Sequence, residues 1–449
     1  MAKAKVTVSS NKMLALIYLP EKEDGDYTTA EIHDLLDEAG VVYGVLETTI
    51  KDIITFKRYN MNLEIARGKL PVTGRDGYYD LFFKTELDNK PVIKEDGSVD
   101  YKNVQLIEMV EKDQVVARYE PPLAGEDGID VYGKTIVARK GAALAPLTGN
   151  GILRLSDEKT YIAATSGKIE MQGNKINIYP IYIVNGDLDL NTGNIDFNGD
   201  VIVHGNVCSM FSIKARGNIE ISGLVENARI EAGGDVIIKG GMNGNKQGTV
   251  IAGGNLYGSF FEGANILCKG KISANYLYHC NTQADGDIVL DGKYNKIIGG
   301  KTVSRMLICA HEIGTIKGVE TIVQVGTTEE ILKDFATVSQ AFNQADSEYG
   351  VLKAGLMKFE GVKNPNIELY RKVKTVFDMK EEERTRLLEK KQAISDEIVR
   401  MNYAKVVVTG EAFPKSVIIS NLSKLRLDDI YENVTFKKRN DNVIAERNE

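Results

Sequence analysis

The alternation of apolar and polar positions changes period along the chain, and the clearest pattern lies between residues 181 and 326. There, short β-branched bursts such as Val201-Ile202-Val203, Ile219-Glu220-Ile221, Val236-Ile237-Ile238 and Ile288-Val289-Leu290 are each opened by a glycine corner. Those glycines fall at Gly199, Gly217, Gly234, Gly254, Gly270 and Gly286, in steps of 18, 17, 20, 16 and 16 residues. A second set of bursts precedes them: Phe211-Ser212-Ile213, Arg229-Ile230-Glu231, Thr249-Val250-Ile251 and Asn265-Ile266-Leu267. A strand of about four residues buries too little to stand alone, and repetition at a short period is the mark of a solenoid. Stacked at about 4.8 Å per coil, the bursts form long parallel sheets around one interior. The pattern predicts a parallel β-helix of about eight coils.

Before this region the patterns are mixed. Thr28-x-x-Glu31 is a capping box, and Ile32, Leu35, Leu36 and Ala39 continue at helical spacing until Gly40. A second helix is expected across Thr48–Ile54. The apolar run Met13–Leu19 is short for a signal or membrane segment and reads as a buried strand. Residues 60–150 are β-rich and carry a duplication, P-x-x-G-x-D-G, at Pro71, Gly74, Asp76, Gly77 and again 51 residues later at Pro122, Gly125, Asp127, Gly128. Proline presets φ and Asp-Gly favours a tight turn, so the pair reads as two related turns rather than a catalytic carboxylate pair. A ligand-binding face built from the twin loops is the other reading.

After the repeat the period becomes helical. Ile331, Phe335, Val338, Phe342, Ala345, Tyr349, Leu352, Leu356 and Phe359 step alternately by four and three, an a/d seam capped by Thr327-x-x-Glu330. Gly361, Asn364 and Pro365 break it. A second seam follows through Tyr370, Val373, Phe377, Leu387, Ile394, Ile398 and Met401, with Lys380, Arg384 and Lys391 at positions expected to be apolar. A short break between long amphipathic helices favours an antiparallel hairpin. Its tip, Gly361, Lys363, Asn364, Pro365 and Asn366, is a candidate partner contact. Strand-like bursts return at Val406–Val408, Val417–Ser420 and Val434–Phe436, and this tail is expected to cap the exposed end of the solenoid.

Composition narrows the chemistry. The 449 residues exceed one ordinary core, with 43% hydrophobic and 27% charged residues typical of a globular chain. Net charge is −7 and no Lys/Arg-rich block stands out, which argues against a nucleic-acid footprint. The four cysteines, Cys208, Cys268, Cys280 and Cys309, show no CxxC pair and read as small apolar positions in a reducing compartment. The four histidines, His33, His204, His279 and His311, lack metal-ligand spacing. His279 and Cys280 are neighbours in a strand, so their side chains face opposite ways. Gly300-Lys301-Thr302 resembles the end of a phosphate loop, but Asn295 stands where glycine is needed and β-like sequence follows. Asp187, Asp189, Asp196 and Asp200 crowd the first coils, as carboxylates do in β-helical polysaccharide enzymes. Asp and Asn at coil corners equally form hydrogen-bonded ladders, and tryptophan, the usual sugar platform, is absent.

Three stretches carry a family resemblance. They are Ala66-Arg-Gly-Lys-Leu-Pro71-x-x-Gly74-x-Asp76-Gly77; Val115-Val-Ala-Arg-Tyr-Glu-Pro121-Pro122 through Gly125, Gly128, Val131 and Gly133; and Tyr182-x-Val184-x-Gly186-Asp187 through Gly193-Asn194-Ile195, Phe197 and Gly199-Asp200-Val201. With Ile298-Gly299-Gly300, they make the chain similar to the bacterial flagellar assembly protein A family. One departure is Phe413-Pro414-Lys415-Ser416-Val417, where the family usually has glycine after the proline.

The resemblance implies an N-terminal α/β domain (1–165), a right-handed parallel β-helix (166–326), an antiparallel coiled-coil hairpin (327–402) and a β capping tail (403–449). It also implies a cytoplasmic, non-enzymatic scaffold in flagellar assembly, placed at the cell pole. Its partners are expected to be proteins of the flagellar or polar-localisation machinery, with a homo-oligomer left open. No cofactor, metal, nucleic acid or membrane span is expected. The alternatives are a bactofilin-like polymer, similar in architecture only, and a β-helical polysaccharide enzyme.

Overall fold

The computed structural model describes residues 3–23, 25–86, 92–93, 99–100, 107–360 and 367–448. The chain divides into two compact units: one of residues 1–85, 112–165 and 169–178, the other of 86–111, 166–168 and 179–449.

In the first unit, strands Lys5–Val8, Leu14–Tyr18 and Asn62–Arg67 form an antiparallel sheet with Leu14–Tyr18 in the middle. Two helices pack with it, α1 (Thr29–Glu38) and α2 (Glu47–Phe56). The capping box at α1 is complete: the Thr28 hydroxyl accepts from the Glu31 amide, and the Glu31 carboxylate accepts from the Thr28 amide. Ala15, Ile17, Ile32, Leu36, Ile50, Ile53 and Ile65 are buried together, which is the common core of sheet and helices. A second antiparallel sheet sets Val115–Glu120 between Tyr78–Leu81 and Thr160–Ala163, with Ile152–Arg154 at its edge.

The second unit is built on a parallel β-solenoid of about eight turns across residues 181–325. Its logic is visible in one inward column. Val201, Ile219, Val236, Leu256, Ile272 and Ile288 stack in register from coil to coil, Ile308 and Val406 continue the stack, and all eight are fully buried. Each such side chain contributes about 1.5–3 kcal/mol by leaving water. A burst of three residues suffices because the flanking two point inward and the middle one outward, and the coils above and below supply the rest of the core.

At Val325 the winding is interrupted. Two helices follow, α3 (Glu329–Glu360) and α4 (Ile367–Met401). Tyr349 stacks on Phe377 with ring centroids 5.0 Å apart, and Phe359 meets Tyr370 at 6.1 Å, so the helices run antiparallel. The start of α3 differs from the expected cap. The Thr328 hydroxyl, not that of Thr327, accepts from the helix at the Ile331 amide. Thr327 is buried and turned toward Met401 instead.

After α4 the chain resumes the solenoid. Lys405–Ala412 pairs in parallel with Leu307–Ala310, and Ser416–Ser420 pairs in parallel with Thr321–Val325. Only then does the direction reverse. Tyr431–Arg439 lies antiparallel on Lys405–Ala412, Asn442–Arg447 lies antiparallel on it, and Ser423–Arg426 folds back on Ser416–Ser420. The tail therefore winds one further coil before its antiparallel strands close the end. The hairpin is an insertion between successive coils.

Candidate functional site

The duplicated loops pair with each other in the first unit. Val72 and Glu126 exchange amide–carbonyl hydrogen bonds at 2.9 and 3.0 Å, as do Lys69 and Ile129 at 2.8 and 2.9 Å. Gly74 and Gly125 lie back to back: a Cβ on Gly125 would stand 2.8 Å from the Gly74 nitrogen. Any side chain there would push the loops apart. Asp76 and Asp127 turn to a common third segment, where Asp76 accepts from the Ala142 amide at 2.7 Å and Asp127 from the Ala138 amide at 2.8 Å. The same segment is pinned further along, since Tyr119 accepts from Leu144, Tyr79 donates to the Ala145 carbonyl, and Tyr161 accepts from Leu147. Pro71 lies within the paired stretch, against Gly128, Pro122 precedes the second loop, and Gly77 packs against Tyr119.

In the solenoid, three of the four crowded carboxylates, Asp187, Asp189 and Asp200, accept from backbone amides. Asp200 Oδ1 accepts from Asn218 N at 2.7 Å, Asn218 Oδ1 from Asp235 N at 2.8 Å, Asp235 Oδ1 from Asn255 N at 2.6 Å, and Asn255 Oδ1 from Lys271 N at 3.0 Å. Asp187 accepts from Asn206 in the same way, and Asn206 from Leu224. Asp189 accepts locally from Asn191 and Thr192. Asp196 faces outward beside Lys214 of the next coil. The corner glycines stack alongside this ladder, with the amides of Gly217, Gly234, Gly254, Gly270 and Gly286 each donating to the glycine carbonyl one coil before. Side-chain oxygen and glycine are coupled, because a Cβ on Gly217 would drive into the Asp200 carboxylate.

Other candidate chemistry is dispersed. Gly300-Lys301-Thr302 lies within strand Lys296–Ser304 and not at a helix start. His279 is exposed and Cys280 buried, on opposite faces of their strand. Burial pushes the thiols of Cys268 and Cys280 up to about 11, so they are poor nucleophiles at neutral pH. His33 stands beside Glu47 at 3.5 Å, and His311 Nδ1 is 3.1 Å from the Thr409 hydroxyl. Among the described residues no group of three or more His, Cys, Asp or Glu is placed to hold a metal ion.

What the second unit does build is a fastened hairpin. Asn421 Oδ1 accepts from the Thr327 amide at 2.9 Å while its Nδ2 donates to the Met401 carbonyl at 3.0 Å. One buried carboxamide thus joins the two feet. Arg305 of the solenoid adds an ion pair to Asp285 at 2.7 Å and a second to Glu397 on α4. The three cations in the second seam prove to be used. Lys380 pairs with Glu348 at 2.7 Å and Glu383 at 2.8 Å, and Arg384 pairs with Asp346. Arg384 also lies 5.1 Å from the Tyr349 ring, and Lys391 lies 4.9 Å from that of Phe342. Cations over ring faces replace apolar contacts there. The expected tip, Gly361, Lys363, Asn364, Pro365 and Asn366, lies outside the described residues.

Sequence reasoning missed Asn421 and Arg305. Their farther partners, Thr327 and Glu397, are 94 and 92 residues away in the chain, and no local pattern marks such a contact. The one local signal is the Asn421-Leu422 turn, both residues having positive φ.

No helix among the described residues is long and apolar enough to cross a membrane. The sequence matches the Flagellar Assembly Protein A N-terminal region over residues 4–174 and the Flagellar Assembly Protein A beta solenoid domain over residues 180–443. No curated protein and no solved structure matches it. Two matches covering nearly the whole chain, on a solenoid carrying an inserted helical pair, make this protein a member of the flagellar assembly protein A family.

Proposed function

We propose that the chain acts in flagellar assembly as a non-enzymatic scaffold in the cytoplasm, recruited to the cell pole and working through protein–protein contacts. The observation that carries this reading is the fastening of the hairpin. Asn421 and Arg305 tie both helices to the coils, so α3 and α4 are presented on a stiff base. The corner carboxylates, which a polysaccharide enzyme would need, are engaged with backbone amides of the next coil. A polymer built by end-to-end stacking is disfavoured too, because antiparallel strands cover the last coil. We assign Pro71, Gly74, Asp76, Gly77 and their counterparts Pro122, Gly125, Asp127 and Gly128 to shaping the N-terminal unit, with partners recognised by that unit and by the hairpin. The modules that serve these roles are 1–165, 166–326, 327–402 and 403–449.

The test replaces α3 and α4 with a short Gly/Ser linker joining Thr328 to Asn402. Flagellation and the polar fluorescence of a tagged copy are then scored in the parent cell. Loss of either with the solenoid still folded is the expected result. Normal flagella and normal placement would sink the reading.

A further inference from the structure

The inner seam of α4 is covered by α3, but α4 carries a second seam beside it. Lys372, Val376, Met379, Glu383 and Arg386 follow one another at steps of four, three, four and three, the spacing that keeps residues on one helical face. At its centre Val376 is 47% exposed and Met379 65% exposed, although Phe377 between them is buried against α3. Two of the three charges flanking this apolar centre, Lys372 and Glu383, are each other's complement, and within the chain Lys372 also meets Glu368 and Glu383 meets Lys380 at 2.8 Å each. Reversing α4 through the midpoint between Phe377 and Asp378 exchanges Val376 with Met379 and Lys372 with Glu383. A helix with this property can pair with an identical helix running the other way, apolar on apolar and lysine on glutamate. That is the isologous arrangement of a twofold dimer.

The neighbouring helix leaves room. Gly355 precedes the seam residue Leu356 as Val376 precedes Phe377, which in an antiparallel pair puts both on one flank. Among the described residues nothing lies within 4 Å of where a Cβ on Gly355 would sit. Glycine inside a helix costs about 1 kcal/mol relative to alanine, and no contact among the described residues offsets it. Close approach of a second chain would.

We propose that this outer face of α4 is a self-association surface, joining two copies of the chain antiparallel through Val376 and Met379 and flanked by reciprocal Lys372–Glu383 pairs. A phospholipid surface fits less well. The face carries Glu383, and exposed Glu381 and Glu382 adjoin it, which an anionic bilayer would repel.

The experiment is sedimentation equilibrium of the full chain over about 1–100 µM. A reversible dimer is expected. Lys372→Glu and Glu383→Lys should each weaken it about tenfold or more by placing like charges opposite one another. Both changes in one chain should recover most of the affinity that either single change loses, because the interchain pair is inverted while Glu368 and Lys380 become like-charged neighbours within the helix. Val376→Glu with Met379→Glu should give monomer with unchanged helical circular dichroism. A wild type that stays monomeric would overturn the proposal. So would a dimer indifferent to the single reversals, a double reversal weaker than either single one, or a monomer that binds anionic vesicles through Lys372.

Discussion

Asn421 and Thr327 are 94 residues apart in sequence, yet the Asn421 side chain accepts from the Thr327 amide at 2.9 Å inside the protein. The other end of the same carboxamide holds the last carbonyl of α4, at Met401. Asn421→Ala leaves a buried amide and a buried carbonyl without these partners, at a cost of about 1–3 kcal/mol. The expected result is a lower Tm and faster amide exchange at Thr327 and the residues after Met401. Unchanged exchange there would show that the feet are held by packing alone.

Lys415, directly after Pro414, has φ +67, a left-handed conformation. That conformation costs an ordinary residue about 1–2 kcal/mol, while the extra freedom of glycine in the unfolded chain returns about 0.5–1 kcal/mol. The first effect is larger. Lys415→Gly should therefore raise stability by about 0.5–1 kcal/mol in urea denaturation.

Gly217→Ala should destabilise by about 1–3 kcal/mol, because its Cβ meets the Asp200 carboxylate. Asp200→Ala alone removes the acceptor for the Asn218 amide and costs about 1 kcal/mol. Made together, the two changes should cost less than their sum, since the second removes what the first collides with. Simple additivity in the double-mutant cycle would mean that corner and ladder are independent.

Asp157 accepts from the Thr160 hydroxyl at 2.6 Å and from the amides of Thr160 and Lys159 at 2.9 Å. These hydrogen bonds, the hydroxyl first, lower its pKa from 3.8 to about 2. A depressed carboxylate stabilises the fold above its unfolded value and loses that contribution as pH falls through the folded one. Asp157→Asn should thus flatten the acid limb of the stability curve between pH 3.8 and about 2 and leave its pH dependence near neutrality unchanged. An identical acid limb would refute this.

Buried Cys268 and Cys280, pushed up to about 11, should not react with an aromatic disulfide reagent at neutral pH until the protein is unfolded. Titration in denaturant should release all four thiols.

Much of the architecture was legible beforehand, for a physical reason that particular residues show. Gly199, Gly217 and Gly234 mark successive coils because each supports the same corner, and repetition makes a local constraint visible. The a/d seam of α3 was equally readable, since Ile331 to Phe359 must all face one neighbour. Contacts made once were invisible. Thr327 reads as a helix cap, but the buried root claims it and Thr328 takes the cap. Lys380, Arg384 and Lys391 look like defects until Glu348, Asp346 and the ring of Phe342 are seen across the seam. The twin P-x-x-G-x-D-G loops were found by their spelling, whereas their shared grip on Ala138–Ala142 required the fold.

The return of the chain to Leu307–Ala310 after the helices bears on biosynthesis. A nascent polypeptide released at about residue 402 would hold finished coils and complete helices, but its last strand would present a bare hydrogen-bonding edge. Such fragments are primed to aggregate. Ribosomes must therefore deliver residues 403–447 before that edge is covered, and a premature stop codon within this stretch should be as damaging as one far upstream.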